Sequence, residues 1–142
     1  MTTKEVKKWL KTYLKLGRDI EYTQSEIQEW ESAAEWATSR FTGMPKGGGN
    51  AGFVSALEAI EKLVSRLSGM INEKLILREE IEKSIDSLED ERYKEVLTLR
   101  YIMGMRFNRI AAAMDYEERQ IYNLHGLALA SLAKKKREKT LQ

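Results

Sequence analysis

Apolar residues return with a seven-residue period from the first turn of this chain. Val6, Tyr13, Ile20, Ile27, Ala34 and Phe41 make one register, and Trp9, Leu16, Thr23, Trp30 and Ala37 the other. Only Thr23 interrupts an apolar seam held over five heptads, which predicts one long helix made for lateral contact with another. Thr2 and Glu5 stand at capping-box spacing at its start. Thr42-Gly43-Met44-Pro45 predicts its end, because Gly takes the left-handed C-terminal conformation and Pro cannot continue a helix.

A second period carries Leu57, Ile60, Val64, Leu67, Ile71, Ile81, Ile85 and Leu88, broken by Lys74 and Arg78. It predicts a helix from about residue 53 to 87, with Ala51 or Ser55 as alternative starts, since Ser55 and Glu58 offer another capping box. The Gly-rich stretch 43–52 between the two helices reads as a turn. Its triple glycine is followed by no Gly-Lys-Ser/Thr and preceded by no strand, so it lacks the parts of a phosphate loop. Two helices of this length, each about 50 Å at 1.5 Å per residue, joined by a short loop are expected to form an antiparallel hairpin. Charge agrees with that pairing: Lys8 would fall near Asp86 and Lys15 near Glu79. Merely solvated charged faces remain the alternative.

A hairpin has little core, and Trp9, Trp30, Trp36, Tyr13, Phe41 and Phe53 are more aromatic surface than one seam can cover. Self-association is the expected way to bury the remainder. The expected oligomer seam is Trp9, Ile20, Ile27, Trp30, Ile60 and Leu67, giving a homodimer or a higher homo-oligomer.

The pattern changes in the last third. Counted from Phe107, a helix-turn-helix places Ile110, Met114, Ile121 and Leu124 at the positions that meet between two helices crossing near a right angle. Small Ala111 falls at their closest approach. The turn position where Gly is usual holds Asp115, which tolerates a left-handed backbone less well.

Composition narrows the class. The 142 residues contain one proline and no cysteine, so disulfides and thiolate metal sites are excluded, in keeping with a reducing cytoplasm. Met1 leads directly into polar residues, with no leader or membrane-spanning run, so a cytoplasmic protein without membrane partners is expected. The net charge of +2 hides a division. Residues 1–88 balance at −1, whereas residues 98–142 carry nine Lys/Arg against four Asp/Glu, the layout of a neutral arm joined to a nucleic-acid-binding end.

The flanks of the helix-turn-helix carry a resemblance. Val96-Leu97-Thr98-Leu99-Arg100-Tyr101 runs to Gly104 upstream, and Gly126-Leu127-Ala128-Leu129-Ala130-Ser131-Leu132 follows downstream. Over residues 90–133 the chain resembles region 4 of bacterial sigma factors. Its whole layout is similar to short phage and prophage proteins of the ArpU and RinA type, which regulate late transcription. It has no counterpart of the sigma region that binds the −10 element, and it carries Glu117-Glu118 where sigma proteins have Ser/Thr then Arg.

The resemblance implies that Glu118, Arg119, Gln120, Tyr122 and Asn123 read DNA bases from the start of the recognition helix. Arg119 suits guanine O6/N7, and Gln120 or Asn123 adenine N6/N7; Tyr122 packing only on the helix surface is the alternative. Arg106, Arg109, His125, Lys134, Lys135, Lys136 and Arg137 are the expected phosphate contacts. His125 is the only histidine, without the partners of a catalyst or ligand, and no catalytic constellation, metal site or cofactor motif is found.

The expected fold is thus all-α: a long helical hairpin, residues 1–88, followed by an independently folding helix-turn-helix with a basic tail, residues 89–142. The expected function is a phage or prophage transcription regulator in a bacterial host cytoplasm, bound to double-stranded DNA and not an enzyme. A small-terminase-like packaging component, or an interaction protein gripping RNA polymerase, are the alternatives.

Overall fold

The computed structural model describes residues 1–39 and 50–140. All the regular structure in them is helical: α1 (Thr3–Ser39), α2 (Asn50–Asp86), α3 (Glu91–Leu97), a π-helical segment (Thr98–Ile102), α4 (Phe107–Met114) and α5 (Glu118–Thr140). The Gly-rich turn expected at 43–52 lies outside the described residues, apart from 50–52, which form the first turn of α2. Among the described residues no helix is long and apolar enough to cross a membrane.

Local sequence accounts for where the helices begin. The Thr2 hydroxyl accepts the Glu5 N–H at 3.2 Å, which is one half of the predicted capping box. Asp90 caps α3 by accepting the Arg92 N–H at 2.9 Å. The π-helical segment widens the chain after α3, with Met103 N–H reaching back to the Thr98 carbonyl at 3.0 Å. Gly104 follows at φ +70, a left-handed turn that favours glycine.

The chain divides into two compact units, Met1–Leu16 with Lys74–Gln142, and Gly17–Glu73. This differs from the boundary expected at residue 88, and the reason is burial. Val6, Leu10 and Tyr13 of α1, with Ile81 and Ile85 at the end of α2 and Leu88 just after it, share one core with Val96, Leu97, Tyr101, Ile110, Ile121, Ala128 and Leu132. Leu10, absent from the heptad seam, is fully buried there. Each buried Val, Leu or Ile among them contributes roughly 1.5–3 kcal/mol by leaving water, so the helix ends belong energetically to the C-terminal module.

In the second unit, α1 turns Ile20, Thr23, Ile27 and Ala34 inward, as its heptads predict. Thr23 fits an apolar stripe because its hydroxyl donates to the Asp19 carbonyl at 2.9 Å. The stripe of α2 is offset by one residue from the predicted one in alternate layers. Ala56 is buried and Ile60, Leu63, Leu67 and Met70 are half-buried, while Leu57, Val64 and Ile71 are exposed. The charge pairs Lys8–Asp86 and Lys15–Glu79 are not among the salt bridges of the described residues.

Candidate nucleic-acid interface

The chemistry-bearing residues collect around α4 and α5, which are joined by only Asp115, Tyr116 and Glu117. Alanines and one inward stripe make α4 a helix: Ile110 and Ala111 are buried against α5, where Ile121 and Leu124 are buried in turn. The helix stops because Asp115 adopts φ 59 and ψ 45. In that left-handed position the chain reverses, and Tyr116 N–H bonds the Ala111 carbonyl at 2.9 Å while Asp115 N–H bonds that of Ala112 at 3.4 Å, satisfying two helix-end carbonyls. Asp therefore fills the place where Gly is usual, at a backbone strain that its short polar side chain lessens.

The start of α5 has its own cap. Gln120 Oε1 accepts the Glu117 N–H at 2.9 Å, the reach-back half of a capping box. Glu118, Arg119, Gln120, Tyr122 and Asn123 are all exposed on this first stretch of the helix. Tyr122 is also held: its ring lies 4.7 Å from that of Phe107, and its hydroxyl donates to Glu118 Oε1 at 3.4 Å. Tyr122 is thus packed on one face and open at the other.

His125 is a correction. Expected at the surface as a phosphate contact, it is 7% exposed, because it lies one turn after Ile121 on the face that buries Leu124 and Ala128. Its Nε2 is 2.7 Å from the Tyr101 hydroxyl, and Phe107 meets its ring edge-on at 4.9 Å. Burial, reinforced by the positive charges of Lys7, Arg100 and Lys11, pushes its pKa down to about 4. Burial pushes the Tyr101 phenol up to about 12. The imidazole is therefore neutral, and its Nε2 and the Tyr101 hydroxyl share one hydrogen bond. This side chain cannot reach a phosphate; it closes the core beneath the exposed residues. Arg100 completes the support, with its guanidinium 4.2 Å from the Phe107 ring centre and Nη1 donating to the Met105 carbonyl at 2.9 Å.

The remaining expected phosphate contacts fall in two places. Arg106 and Arg109 are exposed at the start of α4. Lys134, Lys135, Lys136 and Arg137 lie on the far part of α5, with Lys136 about 25 Å along the axis from Arg119 at 1.5 Å per residue. Lys134 and Arg137 are exposed, and Arg137 donates to the Met1 carbonyl at 3.4 Å. Lys135 pairs with Glu89 at 3.9 Å, and Lys136 is half-buried over the Trp9 ring at 3.8 Å.

The expected oligomer seam is also redistributed. Trp9 is half-buried against the core of the first unit, and Ile20 and Ile27 are buried within the chain. Ile60 and Leu67 are half-buried, and only Trp30, at 39%, is exposed. The exposed apolar surface of the long helices includes Tyr22, Trp36, Leu75 and Ile76, and also Leu57, Val64 and Ile71, which the offset of α2 turns outward. Among the described residues no group of three or more His, Asp or Glu side chains is placed to hold a metal ion.

Compared with known proteins, the chain matches no family model, no curated protein and no solved structure.

Proposed function

We propose that this chain is a sequence-specific DNA-binding transcription regulator of phage or prophage genes, in which α4, its three-residue turn and α5 act as a helix-turn-helix. The observation that carries the reading is the division of α5. Its inward stripe is buried against α4, while Glu118, Arg119, Gln120, Tyr122 and Asn123 are exposed together at its N-terminal end, the part of a recognition helix that enters a major groove. Arg106 and Arg109, exposed at the start of the preceding helix, are suited to flanking phosphates.

The long helices serve self-association as an antiparallel hairpin. What supports this is the exposed apolar set Leu57, Val64 and Ile71, each more than 40% accessible. Sedimentation is expected to show a dimer that Val64→Asp dissociates.

The test of function is selection of bound duplexes from a random pool, followed by affinity measurements on the winner and a scrambled site. Arg119→Ala is expected to weaken binding to the selected site by about 1–3 kcal/mol and to change the scrambled site little, since bidentate base contacts carry discrimination. Absence of any enriched sequence would overturn the reading. A second reading is favoured by Asp115, Glu117 and Glu118, all exposed at the turn, where acids repel phosphates. In that case the module contacts protein, and RNA polymerase is the first partner to test.

A further inference from the structure

Four lysines from two helices far apart in sequence line one open cleft of about 250 Å³. The end of α2 supplies Lys83 and Ser84, the turn after it Ser87, and the C-terminal part of α5 Lys135, Lys136 and Lys139. Glu138 is the one acid among the described lining residues. Helix-end electrostatics explain part of this: Lys83 and Lys139 sit in the last turns of their helices, where cations offset the macrodipole. That effect fades within a turn, and it gives no reason for both lysine sets to face the same cleft.

The cations here are crowded. Lys136 is half-buried, and its pKa is lowered first by that burial and then by neighbouring Lys139, with Glu80 opposing. Like charges held together at a partly dehydrated wall repel, and an anion with several acceptor oxygens relieves the repulsion of all of them at once. Ser87 uses its proton on the Ser84 carbonyl at 2.6 Å, which leaves the lysines as the principal donors among the lining residues.

We propose that this cleft binds a phosphate group, gripped first by the exposed ammonium groups of Lys83 and Lys139, while Lys135, paired with Glu89, and Lys136, over the Trp9 ring, add positive charge to its wall. The phosphate can come from the DNA backbone or from a free phosphorylated ligand. The DNA source rests on the function proposed above, whereas the site itself does not.

Calorimetric titration of inorganic pyrophosphate into the full chain at constant ionic strength tests the site. Wild type and a Lys4→Ala control, outside the cleft, are expected to bind saturably in the millimolar range or tighter. The double variant Lys83→Ala/Lys139→Ala is expected to bind about tenfold more weakly or worse. Both replaced side chains are exposed, and an unchanged thermal melt verifies that the variant folds. No saturable heat in wild type, or equal binding by the double variant, overturns the proposal. Duplex binding then assigns the source. If the phosphate is DNA's, the variant loses affinity for every sequence alike and its salt slope falls by about one to two. Pyrophosphate binding with unchanged duplex affinity supports the cleft as a site for a free phosphorylated ligand. If wild type binds pyrophosphate but no duplex at all, the cleft stands and the DNA-binding function falls.

Discussion

The two compact units are built from the same two long helices yet are held together very differently. The largest fully buried side chains, among them Tyr101, Leu10, Ile81, Leu88, Ile110, Ile121 and Leu132, all belong to the unit of Met1–Leu16 and Lys74–Gln142. In the unit of Gly17–Glu73 the inward residues are smaller or less completely covered: Ile20 and Ile27 keep 9% and 8% of their surface, and Ala34 and Ala56 bury little area. A helix pair offers each inward side chain one neighbour to pack on, whereas a helix end meeting three further helices is enclosed on all sides. A heptad pattern therefore specifies a contact stripe without specifying how deep the stripe is buried.

The strongest test of this contrast is to divide the chain where sequence alone would. A fragment of residues 89–142 is expected not to fold cooperatively, because Val6, Leu10, Tyr13, Ile81, Ile85 and Leu88 complete its core. A sharp two-state thermal transition of that fragment, followed by circular dichroism, would show that the helix ends are dispensable and the contrast mistaken.

Single substitutions sharpen the same point. Leu10→Ala is expected to cost about 2–5 kcal/mol, as a fully buried leucine in a closed core does. Val64→Ala, 48% exposed in the second unit, should change stability by no more than about 0.5 kcal/mol. Urea denaturation at concentrations too low for self-association measures both, and similar losses for the two would erase the distinction.

The core of the first unit should also be sensitive to acid in a way the second is not. His125 has a folded pKa of about 4 against an ordinary 6.5, so the unfolded chain takes up a proton first as pH falls. Stability contributed by the neutral imidazole is intact above about pH 6.5 and declines between there and about pH 4, by up to about 3 kcal/mol. The measurement is the pH dependence of unfolding free energy for wild type minus that of His125→Leu. A difference that stays flat across this window would show that the imidazole is not held neutral by burial.

The smallest effect is expected at the turn. Asp115→Gly relieves the left-handed strain at φ 59, but glycine also adds entropy to the unfolded chain. The net result should lie between no change and a gain of about 1 kcal/mol. A loss would mean that the aspartate side chain stabilises the turn beyond its backbone.

Much of the secondary structure was legible because it depends on neighbours in sequence. The a positions of α1, from Val6 to Ala34, the Thr2 cap, the α4 stripe of Ile110 and Ala111, and the outward placement of Arg119 and Asn123 all follow from helical period and capping chemistry. His125 was misread although the same period carried the signal: one turn after Ile121 is an inward position, and only the polar character of imidazole argued for the surface.

Period and capping chemistry thus account for an all-helical chain and for most of the faces of α1, α4 and α5. Tertiary structure decided the rest. It selected which of two nearly equal apolar stripes of α2 turns inward, since Leu57, Val64 and Ile71 are as hydrophobic as Leu63 and Met70 and only packing separates them. It drew the first turns of α1 and the last of α2 into the C-terminal core, gave His125 its partner Tyr101, and brought Lys83 to Lys135, Lys136 and Lys139. Each of these pairs residues far apart along the chain, and periodicity carries no information about which distant face a given stripe will meet.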